Sequence, residues 1–337
     1  MQTEKLKQNE IGIHTRFSGE LSFQVWSAAS LDEDGNPLSG ALPEQETPFQ
    51  PQIITDAFFE AWLNGTTQPR SQFFGWLGCG NGTLEGAASD TSISQIGTRL
   101  QRYTPGFTHS VVSNTMTSTS EYRSTQGQII GTISEVGLFE NSTGGQTMMR
   151  SLIKDGGGAS TTLTLTAMDF LYVKWRVSTT VNLSDITGTI NISGTNYNYT
   201  MRPANWNVDL PAGGSGSNFF SAIASSTSVN SGFYTNGPMA YSTQTLGSVT
   251  SRPGGTSYIG QLISTNSYTA GSKQRKMTYR WNITQGNTGS GIGSIQLCAS
   301  EGYAGYQISF AAVSGGGTIP KDNTKEFTIG ITYSFGR

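Results

Sequence analysis

The sequence predicts a mainly β chain, built from antiparallel β-sandwich modules with one or two short helices. Three observations carry that expectation. In Phe170–Val177 the residues Leu171, Val173, Trp175 and Val177 alternate with Phe170, Tyr172, Lys174 and Arg176. An apolar face opposite a mixed face, repeating every two residues, marks a half-buried strand. The chain also carries 43 glycines, with abundant Ser, Thr and Asn between short apolar runs, as strands joined by polar turns require. Finally, aromatic residues make up 10% of the chain and are spread along it, enough apolar surface to offset chain entropy although only 12% of residues are charged.

Taken in order, residues 12–27 (GIHTRFSGELSFQVWS) read as an opening strand pair with Gly19 near the bend. Residues 32–52 follow, with Asp34-Gly35 and the prolines Pro37, Pro43, Pro48 and Pro51. This composition suits an extended arm that lies across a neighbouring subunit, and equally a plain surface loop. In residues 55–63, Phe58, Phe59, Trp62 and Leu63 recur at helical spacing. Thr55 or Asp56 caps the start and Asn64-Gly65 the end, so the segment predicts a helix whose apolar stripe covers a sheet. Residues 72–77 (QFFGWL) read as a buried strand and Gly78–Thr83 as a tight turn. The glycines do not make a nucleotide loop, because no Gly-Lys-Ser/Thr follows and Thr83 stands where the dinucleotide fingerprint has its third Gly. Ser89-Asp90-Thr91 leads into Ile93, Ile96 and Leu100, spaced as a short helical turn.

Residues 128–177 form the organising stretch. Apolar runs at Ile129–Ile133 and Glu135–Phe139 precede a polar turn at Asn141–Gly145, and Met148–Ile153 and a break at Gly156–Gly158 follow before the strand described first. Residues 181–270 are long and polar, with further strands and loops. The last part echoes the middle: Gly293-Ser294-Ile295 matches Gly131-Thr132-Ile133, and Phe327–Phe335 matches Phe170–Val177. The organisation expected is an N-terminal β-rich region (1–110) with the arm and helix, and central strands of a sandwich (111–180). An insertion or second β module (181–272) and C-terminal strands completing a sandwich (273–337) follow.

A net charge of −2 gives no reason to expect nucleic-acid binding. The basic cluster Lys273, Arg275, Lys276 and Arg280 reads as a solvated strand entry or as a contact for an acidic neighbour. Cys79 and Cys298, the two cysteines, show no metal spacing and are expected reduced and buried. The N-terminal MQTEKLKQNE has no apolar signal core and no run approaches a membrane span. Synthesis in the cytoplasm without membrane association is therefore expected.

No catalytic constellation stands out. His14 and His109 have no carboxylate or serine motif beside them, there is no Gly-x-Ser-x-Gly elbow, and the acids are few and scattered. The chain is therefore expected to be no enzyme and to need no cofactor. The segment 194–200, with Tyr197 and Tyr199, together with Trp206, could present rings for stacking on sugars beside Asn and Thr for their hydroxyls; an ordinary strand with one exposed face is the plainer reading.

The run Gly131–Phe139, a turn, Met149–Ile153 and then Leu171–Trp175 resembles a pattern of virion structural proteins of tailed bacteriophages: a strand reading I-x-E-h-G-L-F, an apolar-Arg strand and a closing strand around an aromatic. Phe74–Thr83 with Ala88–Thr91 and Ile93 is similar to the G-x-G-x-T and D-T-x-L segments of the same kind of protein. The resemblance covers residues 52–177; Cys79 within the Gly-rich turn and the long insert after 180 depart from it. It implies a non-enzymatic subunit of the tail, collar, baseplate or fibre attachment, located in the virion and made in the host bacterial cytoplasm. The implied partners are copies of itself and other virion proteins. The reading from another class is a carbohydrate-binding module that takes a host glycan through Tyr197, Tyr199 and Trp206, and a polysaccharide hydrolase comes third.

Overall fold

The computed structural model of the chain describes residues 4–6, 11–63, 75–205, 238–265, 269–297 and 305–337. It is mainly β, as composition and periodicity require, and includes an eight-stranded antiparallel barrel. Two compact units form: a barrel unit containing residues 16–62, 75–179 and Arg337, and a second unit containing residues 4–6 and 11–15, Leu63 and the described residues between 180 and 336.

After β1 (Glu4–Leu6), the strand β2 (Ile11–Ser27) gives Ile11–Thr15 to the second unit and the rest to the barrel. Where a strand pair bent at Gly19 was expected, one 17-residue strand runs through. The alternation of buried Ile11, Ile13, Thr15 and Phe17 with exposed neighbours runs unbroken up to Gly19, which pairs with Gln52. The chain continues through β3 (Gln45–Glu46), β4 (Gln50–Ile54) and the helix α1 (Asp56–Leu63). Next come β5 (Trp76–Gly80), β6 (Gln95–Val112), β7 (Thr115–Arg123) and β8 (Gly131–Ile133). The unit ends with β9 (Glu135–Phe139), β10 (Thr147–Leu152), β11 (Leu163–Leu165) and β12 (Asp169–Thr180).

The order β12-β7-β6-β5-β9-β10-β4-β2 closes on itself through a β2–β12 pairing. The strands β7, β9, β10 and β12 of residues 111–180, expected in a sandwich, therefore close a barrel together with β2, β4, β5 and β6. Alternation looks the same in either architecture, and closure depends on a pairing between strands far apart in sequence that no local pattern reveals. Leu100, Leu77, Leu138, Met149 and Ile54 lie side by side across five neighbouring strands at 0–1% exposure, one filled layer of the interior. Cys79, Val136 and Ser151 form the next layer. Leu171, Val173, Trp175 and Val177 are buried along β12, as the alternation predicts.

The helix forms where its spacing predicts. Thr55 fixes its start by donating its hydroxyl to the carbonyls of Thr147 (2.6 Å) and Met148 (3.0 Å). Phe58 and Phe59 meet Phe17 edge-on at 6.0 and 6.4 Å between ring centres. Two local expectations fail. Residues 78–80 belong to β5 rather than to a turn, and residues 95–100 open β6 rather than a helical turn.

The second unit contains β13 (Ile186–Ile192), β14 (Thr195–Ala204), β15 (Met239–Tyr241), β16 (Tyr258–Ile259), β17 (Gln261–Thr265), β18 (Gln274–Trp281), β19 (Ser294–Leu297), β20 (Gly305–Ala312) and β21 (Lys325–Gly336). One sheet runs β13-β14-β20-β19-β15-β16. In the other group β18 lies between β17 and β21, and β1 runs parallel to β21. Phe327 of β21 stacks on Trp281 at 5.4 Å and meets Phe310 of β20 at 6.5 Å. The β13–β14 hairpin turns at Ser193-Gly194, both at positive φ (49° and 85°), the geometry of a two-residue hairpin turn.

Candidate functional site

The residues that carry the sequence motifs of the barrel unit meet in one polar cluster on the outer face of β5, β9 and β10. Glu135 begins β9 and is fully buried. Its Oε1 accepts the backbone amides of Gly82 (2.9 Å) and Ser94 (2.7 Å), and its Oε2 accepts Nε of Arg150 at 2.8 Å. Arg150, on β10, reaches Asp90 through Nη1 at 2.5 Å and donates Nη2 to the Leu84 carbonyl at 2.9 Å. Asp90 also accepts the Ala87 amide at 2.7 Å, and the Ser134 hydroxyl donates to the Gly82 carbonyl at 2.7 Å. Both ends and the middle of the loop between β5 and β6 are thus fastened to the barrel wall.

The glycines are explained by the same carboxylate. A Cβ on Gly80 would stand 2.8 Å from Cγ of Glu135, and one on Gly82 only 2.2 Å from its Oε1. Close approach of a side chain, not a turn, is what the Gly-x-Gly serves here. Beside the cluster Arg99 lies over the Phe139 ring at 3.3 Å and donates to the carbonyls of Asn141 (2.7 Å) and Gly144 (2.6 Å), holding the β9–β10 turn.

Electrostatically the cluster is satisfied. Burial opposes the charge of Asp90, but the Ala87 amide and the Arg150 guanidinium outweigh it and hold the carboxyl below its ordinary range. Both oxygens of Glu135 are occupied by N–H donors, and through them this carboxylate fastens the loop to the barrel wall. Sequence reasoning singled out Glu135, Asp90 and Arg150 only through the motif. A charge inside an apolar run, as Arg150 sits in Met148–Ile153, is the signal that points to such a partner.

The segment 32–52 is tied to its own barrel. Arg123 donates Nη1 to the Gly35 carbonyl and to Oδ1 of Asn36, both at 3.1 Å, and the Tyr172 hydroxyl also donates to the Gly35 carbonyl. Farther along, β3 pairs with β2, the Thr47 hydroxyl accepts the Phe23 amide at 3.0 Å, and β4 is a barrel strand. Between those anchors a turn projects with Leu38 at 46% and Leu42 at 81% exposure. Pro37, Pro48 and Pro51 are exposed and Pro43 is half-buried. Ile130 and Met168 are exposed on two loops joined by the Gly127 amide on the Asp169 carbonyl at 3.0 Å.

In the second unit Tyr197 is 3% exposed and Tyr199 is half-buried. Tyr199 pairs with Phe310 and Met201 with Ile308, so both tyrosines point to the apolar side of β14. The exposed amides lie on the opposite side, where Asn191 donates to Asn196 at 2.7 Å and Thr189 to Asn198 at 3.2 Å. Trp206, like Cys298, lies outside the described residues. In the basic cluster Arg275 is buried, and Arg280 stands 3.8 Å from Glu326 of its own unit. Among the described residues no group of three or more His, Cys, Asp and Glu side chains is placed to hold a metal ion, and no helix is long and apolar enough to cross a membrane. In comparisons with known proteins, the chain matches no family model, no curated protein and no solved structure.

Proposed function

We propose that the chain is a non-enzymatic structural subunit of a tailed-bacteriophage virion, associated with the tail, collar or baseplate, that assembles as a symmetric homo-oligomer and links other virion proteins. The observation that carries this reading is the use made of Glu135, Arg150 and Asp90. The charged residues of the segments that resemble those of such proteins are spent on fastening a loop to a barrel. The contact surface is the anchored turn bearing Leu38 and Leu42, whose exposed apolar side chains suit burial against a second copy. In the second unit the approach of Phe310 and Phe327 supports reading its two sheets as a sandwich.

Light-scattering mass and negative-stain electron microscopy on the purified chain test the assembly reading. A single discrete multimer or a ring is the expected result, and a monomer at every concentration counts against it. The alternative, a host-glycan-binding module of a tail fibre, draws on the exposed Asn and Thr ladder of the β13–β14 hairpin. Selective hits on a glycan array, lost on Asn198→Ala, would favour that alternative.

A further inference from the structure

Lys321 is 3% exposed, a rare environment for an ammonium group. It lies in the loop just before β21. Its Nζ donates to Oδ1 of Asn287 at 2.6 Å and to the Asp322 carbonyl at 2.9 Å. Asn287 lies in the loop after β18, and its Nδ2 donates to the Ile283 carbonyl at 2.8 Å, which fixes the carboxamide with its oxygen toward the lysine. The two loops are held in register by a bridge between Ile292 and Ile319, whose reciprocal backbone hydrogen bonds are 2.8 and 2.9 Å. Thr318 adds a hydroxyl bond to the Ser290 carbonyl at 2.5 Å.

We propose that Lys321 and Asn287 join in an intramolecular isopeptide bond, making this pair a self-modifying cross-link site. The geometry suits the reaction. A carbonyl bond is about 1.23 Å long, so the Asn287 carbon lies at most about 3.8 Å from Nζ, close to attack distance. The chemistry is redox-neutral and needs no co-reactant. The neutral amine of Lys321 adds to Cγ of Asn287, forming the new C–N bond. The tetrahedral adduct then breaks its bond to Nδ2, which takes up the proton given up by Nζ and leaves as ammonia. Burial lowers the lysine pKa and so favours the neutral, nucleophilic amine; Asp322 and Glu326 act in the opposite direction and Lys325 with it.

The product is a covalent loop from residue 287 to residue 321 that encloses β19 and β20 and ties the end of β18 to the approach of β21. The inference does not depend on the virion reading, because it concerns the chain alone. The test is the intact mass of the purified full-length protein under denaturing conditions. The wild type is expected about 17 Da below its sequence mass, one ammonia per chain, and Lys321→Arg and Asn287→Ala are each expected to show no deficit. Tandem mass spectrometry of a tryptic digest decides from the wild type alone, should either variant fail to fold. In the linked protein trypsin does not cut after Lys321, and the peptides bearing Asn287 and Lys321 travel as one branched species. Separate, unmodified peptides would overturn the proposal, as would a mass deficit that persists in Lys321→Arg.

Discussion

Glu135 shows how much a single buried side chain organises. Its carboxylate is out of water and repaid only by the amides of Gly82 and Ser94 and the Arg150 guanidinium. Glu135→Ala leaves those donors without their acceptor and should cost about 3–5 kcal/mol in urea unfolding. Gly82→Ala puts a methyl group where the carboxylate oxygen stands and should cost about 1–3 kcal/mol, although alanine is otherwise harmless in a loop. An unchanged urea midpoint in either variant would refute the fastening role. Cys79 gives a second residue-scale test. Burial pushes its thiol pKa up to about 12, so in a Cys298→Ser background it should react with a disulfide reagent at pH 8 only after unfolding. Prompt labelling of the folded protein would contradict its place in the barrel interior. The sequence made the residue types of this cluster visible but not their meeting, since Gly82 and Asp90 come from one loop and Glu135 and Arg150 from two different strands.

Elements were most legible where periodicity ran long. β12 and α1 formed where alternation and helical spacing placed them, because each has a continuous apolar face to bury. The failures occurred where a local signal had two physical causes. The glycines of residues 78–83 read as turn formers, whereas Gly80 is in a strand that must let a neighbouring carboxylate pass. Ile93, Ile96 and Leu100 have helical spacing, but β6 opens at Gln95 and pairs with β5. At this scale Phe58→Ala should remove the edge-on contact with Phe17 and lower stability by about 3–5 kcal/mol. Calorimetry on that variant checks it, and an unchanged melting temperature would mean that the helix does not depend on its aromatic face.

For the whole molecule, closure of the barrel was the feature least legible in advance, because it rests on the distant β2–β12 pairing rather than on any short pattern. Acid stability belongs to this scale too. The Asp90 carboxyl is held below its ordinary value of 3.8 in the folded chain, so its contribution is complete above that value and fades as pH falls through the lower, folded one. Asp322 is shifted the same way, chiefly by the Thr324 hydroxyl. Urea midpoints should therefore be level above about pH 5 and decline below about pH 4. Asp90→Asn should be less stable at neutral pH and lose less on acidification, and an equal acid slope in the variant would show that Asp90 is not the group responsible.

Self-assembly is tested most sharply by comparing wild type with Leu38→Ser/Leu42→Ser by light-scattering mass. Both side chains are exposed on an anchored turn, so their loss should leave the fold intact. A discrete multimer is expected for the wild type, and for the double variant a monomer with the same melting temperature. A wild type that stays monomeric at every concentration, or a double variant that assembles as the wild type does, would contradict it.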